Sequence, residues 1–412
     1  MCAQVPASSQ TNTINGVTSN WVDNGYYVVG SNTCLDALCI INGGVLSNGS
    51  GLVGYTTAAS NNAAIVSGAG SVWTNHFDLY VGLTGRGNRL IITNHGAAYS
   101  GNAYMGFSLG GSNNMALVSD AGSHWSVSTN LYVGYFTSGN RLMVSNGGAV
   151  SDLAGALGFT NADGNVALIG DPGSVWSNGS FLYVGYCGAF NQLIVTNGGA
   201  VCSGEGYLGA ARSGSNNTAR IIGNGSAWKN ANGFYVGSLG PWNNLVIRDG
   251  GTVSAINGFV GFAATSSNNM VSVADNGSVW SNSFSLVIGY AGPGNKLVVT
   301  NGAAVQDSSG ALGYMTSSTQ NSALIDGVNS VWSNDGFLYI GYSGALNRLT
   351  VTNGGTVFSG DCYLGALNSG SNNLVSVTGV GSIWRTTNTL YVGYLSGSNQ
   401  LAIDDGGAVY DT

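Results

Sequence analysis

The sequence predicts an all-β chain, a right-handed parallel β-solenoid (β-helix) of about 15–16 coils, with about 26 residues per coil and a 52-residue double-coil repeat. Three observations carry this reading: tryptophan recurs every 52 residues, asparagine every 26, and a short apolar alternation follows each asparagine.

The tryptophans mark the long period. Trp21, Trp73, Trp125, Trp176, Trp228, Trp280, Trp332 and Trp384 stand 51 or 52 residues apart, and only Trp242 is out of phase. Each ends a phrase such as Gly68-Ala69-Gly70-Ser71-Val72-Trp73, and Leu-Tyr-Val-Gly follows six residues later, as at 79–82, 131–134, 182–185 and 390–393. The repeat therefore organises the chain as one domain over 1–412. Residues 1–21 form a partial first repeat, 22–384 seven full repeats and 385–412 a partial last one.

Half the long period is the coil. The segment from Asn140 to Val150 lines up with that from Asn165 to Val175, and one column holds Asn62, Asn88, Asn114, Asn140, Asn165, Asn191, Asn217, Asn243, Asn269, Asn295, Asn321, Asn347, Asn373 and Asn399, with Asp36 in phase. Every step is 26 except one of 25. When each coil lies on the last, like residues stack about 4.8 Å apart, and amides hydrogen-bond from coil to coil as a ladder.

After each Asn comes a strand such as Leu90-Ile91-Ile92 or Leu142-Met143-Val144, whose first and third residues stay aliphatic while the middle one varies. That is the period of a strand with one buried face. A corner column follows, reading Asn42, Gly68, Asn94, Asp120, Asn146, Asp171, Asn197, Gly223, Asp249, Asp275, Asn301, Gly327, Asn353, Gly379 and Asp405. Asn, Asp and Gly are the residues that tolerate positive φ, so the column predicts a left-handed corner. Next comes Gly-(Ala/Ser/Thr)-Val with its Val inward, then a third strand ending in Gly. No helix is expected.

Composition fits this reading and excludes other classes. Of 412 residues 68 are Gly and 7% carry charge, where roughly 25% is usual. With 44% apolar residues the chain still buries a core. A net charge of −7, with two lysines and eight arginines, offers no basic footprint for nucleic acid. No run of eighteen apolar residues predicts a membrane span.

Candidate chemistry is sparse. Arg248 and Asp249, with Asp275 one coil on, form the best charged cluster, and two stacked carboxylates are a candidate calcium site; the competing reading makes both ordinary corner residues. His76, His95 and His124 fall in three different phases and make no pair. The cysteines form no C-x-x-C pair; Cys34 and Cys39 are close enough for a local disulfide, or else serve as small packed side chains. No cofactor and no catalytic residue is indicated. A row of threonines that would suit ice binding is broken by Arg248 and Asp404.

Aromatic columns are the other candidate. By alternation from the inward Val, the repeated Trp is expected to point outward, as is the Tyr of Leu-Tyr-Val-Gly (Tyr80, Tyr132, Tyr183, Tyr235, Tyr339, Tyr391). Recurring every second coil, like rings would stand about 9.6 Å apart. Such stripes either bind sugars or another protein, or cover glycine-rich corners of their own coil.

The phrases Leu-x-Val-Gly, Leu-x-Val-x-Asn-Gly-Gly-x-Val and Gly-x-Gly-Ser-x-Trp, spread over nearly the whole chain, resemble the extracellular β-solenoid repeat of bacterial autotransporter passengers and PEP-CTERM-associated proteins. The resemblance implies a bacterial cell-surface or extracellular location and leaves activity open. Joining Trp384 to the Trp21 of another copy spans 49 residues, close to the repeat, so copies are expected to add head to tail. The sequence therefore predicts a non-enzymatic extracellular fibre or stalk subunit whose partner is itself. The alternative is a glycan-binding adhesin, and a polysaccharide-degrading enzyme ranks third.

Overall fold

The corners define the coil. The computed structural model describes residues 9–16, 19–21 and 25–411, the side chains of 19–21 excepted, so Cys2 and the side chain of Trp21 lie outside the described residues. All fifteen residues of the corner column, Asn42 to Asp405, hold positive φ between 50° and 99°. A second left-handed position stands immediately before each ladder residue, and there other residues are admitted: Leu35, Phe190, Trp242, Gln320, Leu346 and Ser398 share it with Asn and Gly. This explains the out-of-phase tryptophan. Trp242 sits in that corner at φ 61°, with its side chain in solvent.

Between corners lie three short strands per coil, as in Arg89–Thr93, Ala97–Ser100 and Ala103–Met105. In some coils the last two merge, giving Ala149–Leu157 and Val175–Val184, or Thr252–Val260 and Val279–Ile288. The chain is a parallel β-solenoid of about 15 turns with about 26 residues per coil, and no helix occurs among the described residues. Among the described residues no helix is long and apolar enough to cross a membrane.

The chain divides into two compact units, residues 1–203 and 204–412. In the first, the strands after the ladder residues run from Thr11–Asn15 through Ala63–Ser67 and Arg89–Thr93 to Gln192–Thr196, each parallel to the next. Leu38, Ile40, Leu90, Ile92, Leu142 and Val144 point into its core. In the second unit the series runs from Thr218–Ile222 to Gln400–Asp404 with the same pairing, over a core that includes Leu245, Ile247, Leu297, Val299, Leu349 and Val351.

The tryptophans correct the sequence reading. Trp73, Trp125, Trp176, Trp228, Trp280, Trp332 and Trp384 are fully buried. Trp176 pairs with Val150, and it is Val175 that takes the outward place beside Ala149. The cause is one extra residue in the corner: Asp171-Pro172-Gly173 replaces Asn146-Gly147, and a slip of one residue along a strand turns every side chain to the other face.

Burial also explains why the repeat is double. In unit 1 Trp73 lies between Leu46 and Ala98, and Trp176 between Val150 and Val201; in unit 2 Trp280 lies between Val253 and Val305. A Cβ at Gly51, Gly155 or Gly258 in the preceding coil would come within 2.6–2.8 Å of the indole Cζ2. Coils with a large core residue therefore alternate with coils that leave room for it, as close packing demands.

Candidate functional site

The asparagine column is a hydrogen-bonded ladder in each unit. In unit 1 the Oδ1 of Asn114 accepts from the backbone N–H of Asn88 at 2.8 Å and from its Nδ2 at 3.3 Å, and Asn140 treats Asn114 alike at 3.1 and 3.0 Å. Asp36 joins through its backbone N–H, which donates to Asn62 Oδ1 at 2.8 Å. In unit 2 the same pair of bonds links Asn243 to Asn269, Asn269 to Asn295, and so on to Asn373 and Asn399. Each carbonyl oxygen thus satisfies a backbone donor freed by the left-handed corner before it.

A second buried polar column was missed in the sequence. In unit 1 it runs Asn48, Asn75, Ser100, Asp152, Asn178, interrupted by Val127; in unit 2, Asn282, Asp307, Asn334, Ser359, Thr386, with Ala255 at its first place. Its first role is to receive the buried indoles. Trp73 Nε1 donates to Asn48 Oδ1 at 2.7 Å, Trp176 to Asp152 Oδ2 at 2.6 Å, Trp332 to Asp307 Oδ2 at 2.8 Å, and Trp384 to Ser359 Oγ at 3.3 Å. At Ala255 the acceptor is missing and Trp280 Nε1 is left without a partner, and beside Ser100 neither the hydroxyl nor Trp125 Nε1 finds one.

Two of these acceptors are carboxyls in the core. Burial pushes Asp152 up to about 8, with the indole bond opposing, and burial does the same for Asp307, helped by the nearby charge of Asp335. Both are therefore mainly protonated at neutral pH, which removes the cost of a buried charge. Asn48 donates through Nδ2 to Asn75 Oδ1 at 2.8 Å. Asp152 and Asp307 stand in the same register to Asn178 and Asn334, and Oδ1 of both carboxyls and of both amides has no hydrogen-bond partner. A neutral carboxyl, unlike a carboxylate, has a proton to offer at such a position while its other oxygen accepts from the indole.

The other candidates are scattered. Asp249 and Asp275 occupy left-handed corners at φ 55° and 75°; Arg248 Nε lies 3.4 Å from Asp249, and Asp275 accepts from Asn301 Nδ2 at 3.3 Å. Among the described residues no group of three His, Cys, Asp or Glu is placed to hold a metal ion. Cys34 and Cys39 are free thiols. Cys39 lies mid-strand on the outward face between buried Leu38 and Ile40, while Cys34 belongs to the preceding corner. His76 and His124 contact Ser47 and Tyr99, and His95 is exposed.

The tyrosines do face outward, in denser columns than expected. In unit 1 Tyr80, Tyr104 and Tyr132 stack at 5.1 and 5.2 Å, beside a second column of Phe107, Tyr135, Phe159 and Tyr186 at 5.2, 5.3 and 4.9 Å. In unit 2 Phe262, Tyr290, Tyr314 and Tyr342 stack at 5.0, 5.2 and 4.7 Å, and Tyr339, Tyr363 and Tyr391 at 5.3 and 4.7 Å. The coils between the Leu-Tyr-Val-Gly phrases supply the intervening rings, so the spacing is one coil and not two. These rings are half-buried, and each column covers the other edge-on, as Tyr104 covers Phe107 at 5.0 Å.

No family model matches the chain, and no curated protein sequence matches it. Among solved structures it is similar to the crystal structure of a TibC-catalysed, hyper-glycosylated fragment of TibA, at 14% identity and a TM-score of 0.48, over 94% of this chain and 98% of that one.

Proposed function

We propose that the chain is a non-enzymatic structural protein of the cell surface or extracellular space, a stalk or fibre subunit whose copies add head to tail by strand pairing. The observation that supports this reading is the asparagine ladder. It spends the most regular polar column on holding coil to coil, and opening any coil breaks backbone pairs, amide bonds and a row of aliphatic contacts together. Because the register is the same from coil to coil, one copy offers another the same pairing that it uses internally. Electron microscopy over a concentration series tests the assembly. Unbranched filaments that lengthen with concentration are expected, and single particles at every concentration would overturn head-to-tail growth.

The outward aromatic columns favour a second reading, a surface adhesin that binds glycans.

A further inference from the structure

We infer that unit 1 carries a binding cleft for a neutral pyranose, at the corner that follows the Trp73 strand. The inference rests on the extracellular reading above and gives the adhesin alternative a specific site. The cleft is an open one of about 530 Å³, a volume within the range of small-ligand sites. Its lining includes two solvent-exposed rings, Tyr26 at 71% and Phe77 at 56% exposure, and the polar side chains of Asp78, Asn102 and Thr129.

The polar side is built before any ligand arrives. Asp78 Oδ2 accepts from Tyr80 OH at 3.0 Å and Oδ1 from Asn102 Nδ2 at 3.0 Å, while Asn102 Oδ1 accepts from Thr129 Oγ1 at 2.6 Å and from Asn130 Nδ2 at 3.2 Å. These bonds fix the amide's orientation and leave the carboxylate with lone pairs to accept further donors. Phe77 is pinned by its backbone, whose N–H donates to Gly49 O at 2.8 Å and whose C=O accepts from Gly101 N–H. Exposed rings beside a fixed carboxylate–amide pair suit a ligand with an apolar C–H face and a rim of hydroxyl donors, which describes a pyranose.

Charge narrows the class. The lining has one carboxylate, Asp78, and one imidazole, His76, which is hydrogen-bonded to Ser47 at 3.0 Å, with neither Lys nor Arg; on a chain of net charge −7 this disfavours uronic acids, sialic acids and sulfated sugars. Unit 2 provides an internal comparison. A cleft of the same 530 Å³ lies at the matching corner, lined by Ser281, Gln306, Asp307, Ser308 and Asp335 among others, with no aromatic ring. Phe284, 63% exposed, takes the place of Phe77 four residues after its tryptophan but is not part of that lining.

The test presents the full chain to an array of immobilised oligosaccharides, with neutral gluco-, galacto-, manno- and N-acetylglucosamine-type chains beside sialylated and sulfated ones, followed by calorimetric titration of the best binder. Retention of a neutral chain is expected, weakened at least tenfold by Phe77→Ala and by Asp78→Asn, and unchanged by Phe284→Ala in unit 2. Thermal melts of each variant separate lost binding from lost fold. No retention of any neutral chain, retention only of acidic ones, or binding that survives both unit 1 substitutions would overturn the cleft. Antibody labelling of intact producing cells tests the underlying reading separately. Labelled cells without glycan binding would sink the cleft alone, and glycan binding by a chain found only inside cells would sink the extracellular reading alone.

Discussion

The indole Nε1–H of Trp176 donates to Oδ2 of Asp152 at 2.6 Å, deep in the core of unit 1, where the carboxyl is pushed up to about 8 by burial. The same relation holds between Trp332 and Asp307 in unit 2. The folded coil therefore binds a proton that an unfolded chain releases near pH 4.

Stability should fall with rising pH. The folded-state value lies above the unfolded one, so each carboxyl's contribution is complete below about pH 4 and is lost as pH rises towards about 8, by on the order of 5 kcal/mol per site. Asp152→Asn and Asp307→Asn place the Asn48 arrangement in these coils and should flatten the dependence. The gain should be largest at pH 8–9 and small near pH 4. Hydrogen exchange of the neighbouring strands across this pH range reads the effect coil by coil, and equal slopes for parent and variant would count against protonated carboxyls.

A missing acceptor can be restored. Trp280 Nε1 and both polar atoms of Asn282 are buried without partners beside Ala255, where other coils have Asn, Asp or Ser. Ala255→Ser reproduces the arrangement of Ser359 with Trp384 and should raise unit 2 stability by about 1 kcal/mol. Urea unfolding measures it, and a destabilised variant would mean that the gap cannot take a hydroxyl.

The ladder should be much less forgiving. Asn140 Oδ1 accepts from the N–H and Nδ2 of Asn114, and its Nδ2 donates to Asn165 Oδ1 at 3.1 Å and to Thr137 O at 2.8 Å. Asn140→Ala strands several buried groups at once and should cost about 3 kcal/mol or more, with the loss of exchange protection centred on Arg141–Ser145. A uniform loss over unit 1 would indicate that its coils open only together.

What the sequence revealed and what it hid follow one rule. The ladder was legible because one residue type repeats at a near-constant step, with Asp36 taking its place once, and the left-handed corners because few residues adopt positive φ. The corner before the ladder was hidden by Phe190, Trp242 and Leu346, which are held left-handed by the coils around them. The second polar column was hidden twice. Its steps alternate, 27 from Asn48 to Asn75 and 25 from Asn75 to Ser100, and its members differ because an amide, a carboxyl and a hydroxyl oxygen each accept from a buried indole N–H. The inward Trp was hidden by the one-residue insertion at Asp171-Pro172-Gly173, since alternation predicts a face only when the register is known.

The last prediction concerns a coupling between coils. Wherever the coil preceding a tryptophan has Gly in its third strand, the next coil has Asn two residues after the Trp: Gly51 with Asn75, Gly155 with Asn178, Gly206 with Asn230, Gly258 with Asn282, Gly310 with Asn334. A Cβ on any of these glycines would stand 2.2–2.6 Å from the Asn Oδ1. The two coils without that Gly lack the Asn as well, for Ala103 accompanies Val127 and Cys362 accompanies Thr386. Gly155→Ala alone should therefore cost about 2–3 kcal/mol through overpacking. Adding Asn178→Val, which copies the Ala103 and Val127 pair, should recover at least about 1 kcal/mol of that loss, although Asn178→Val alone removes a hydrogen bond to Cys202 O. A double-mutant cycle in urea measures the coupling. Strictly additive effects would mean that the pairing of glycine with asparagine reflects something other than contact between them.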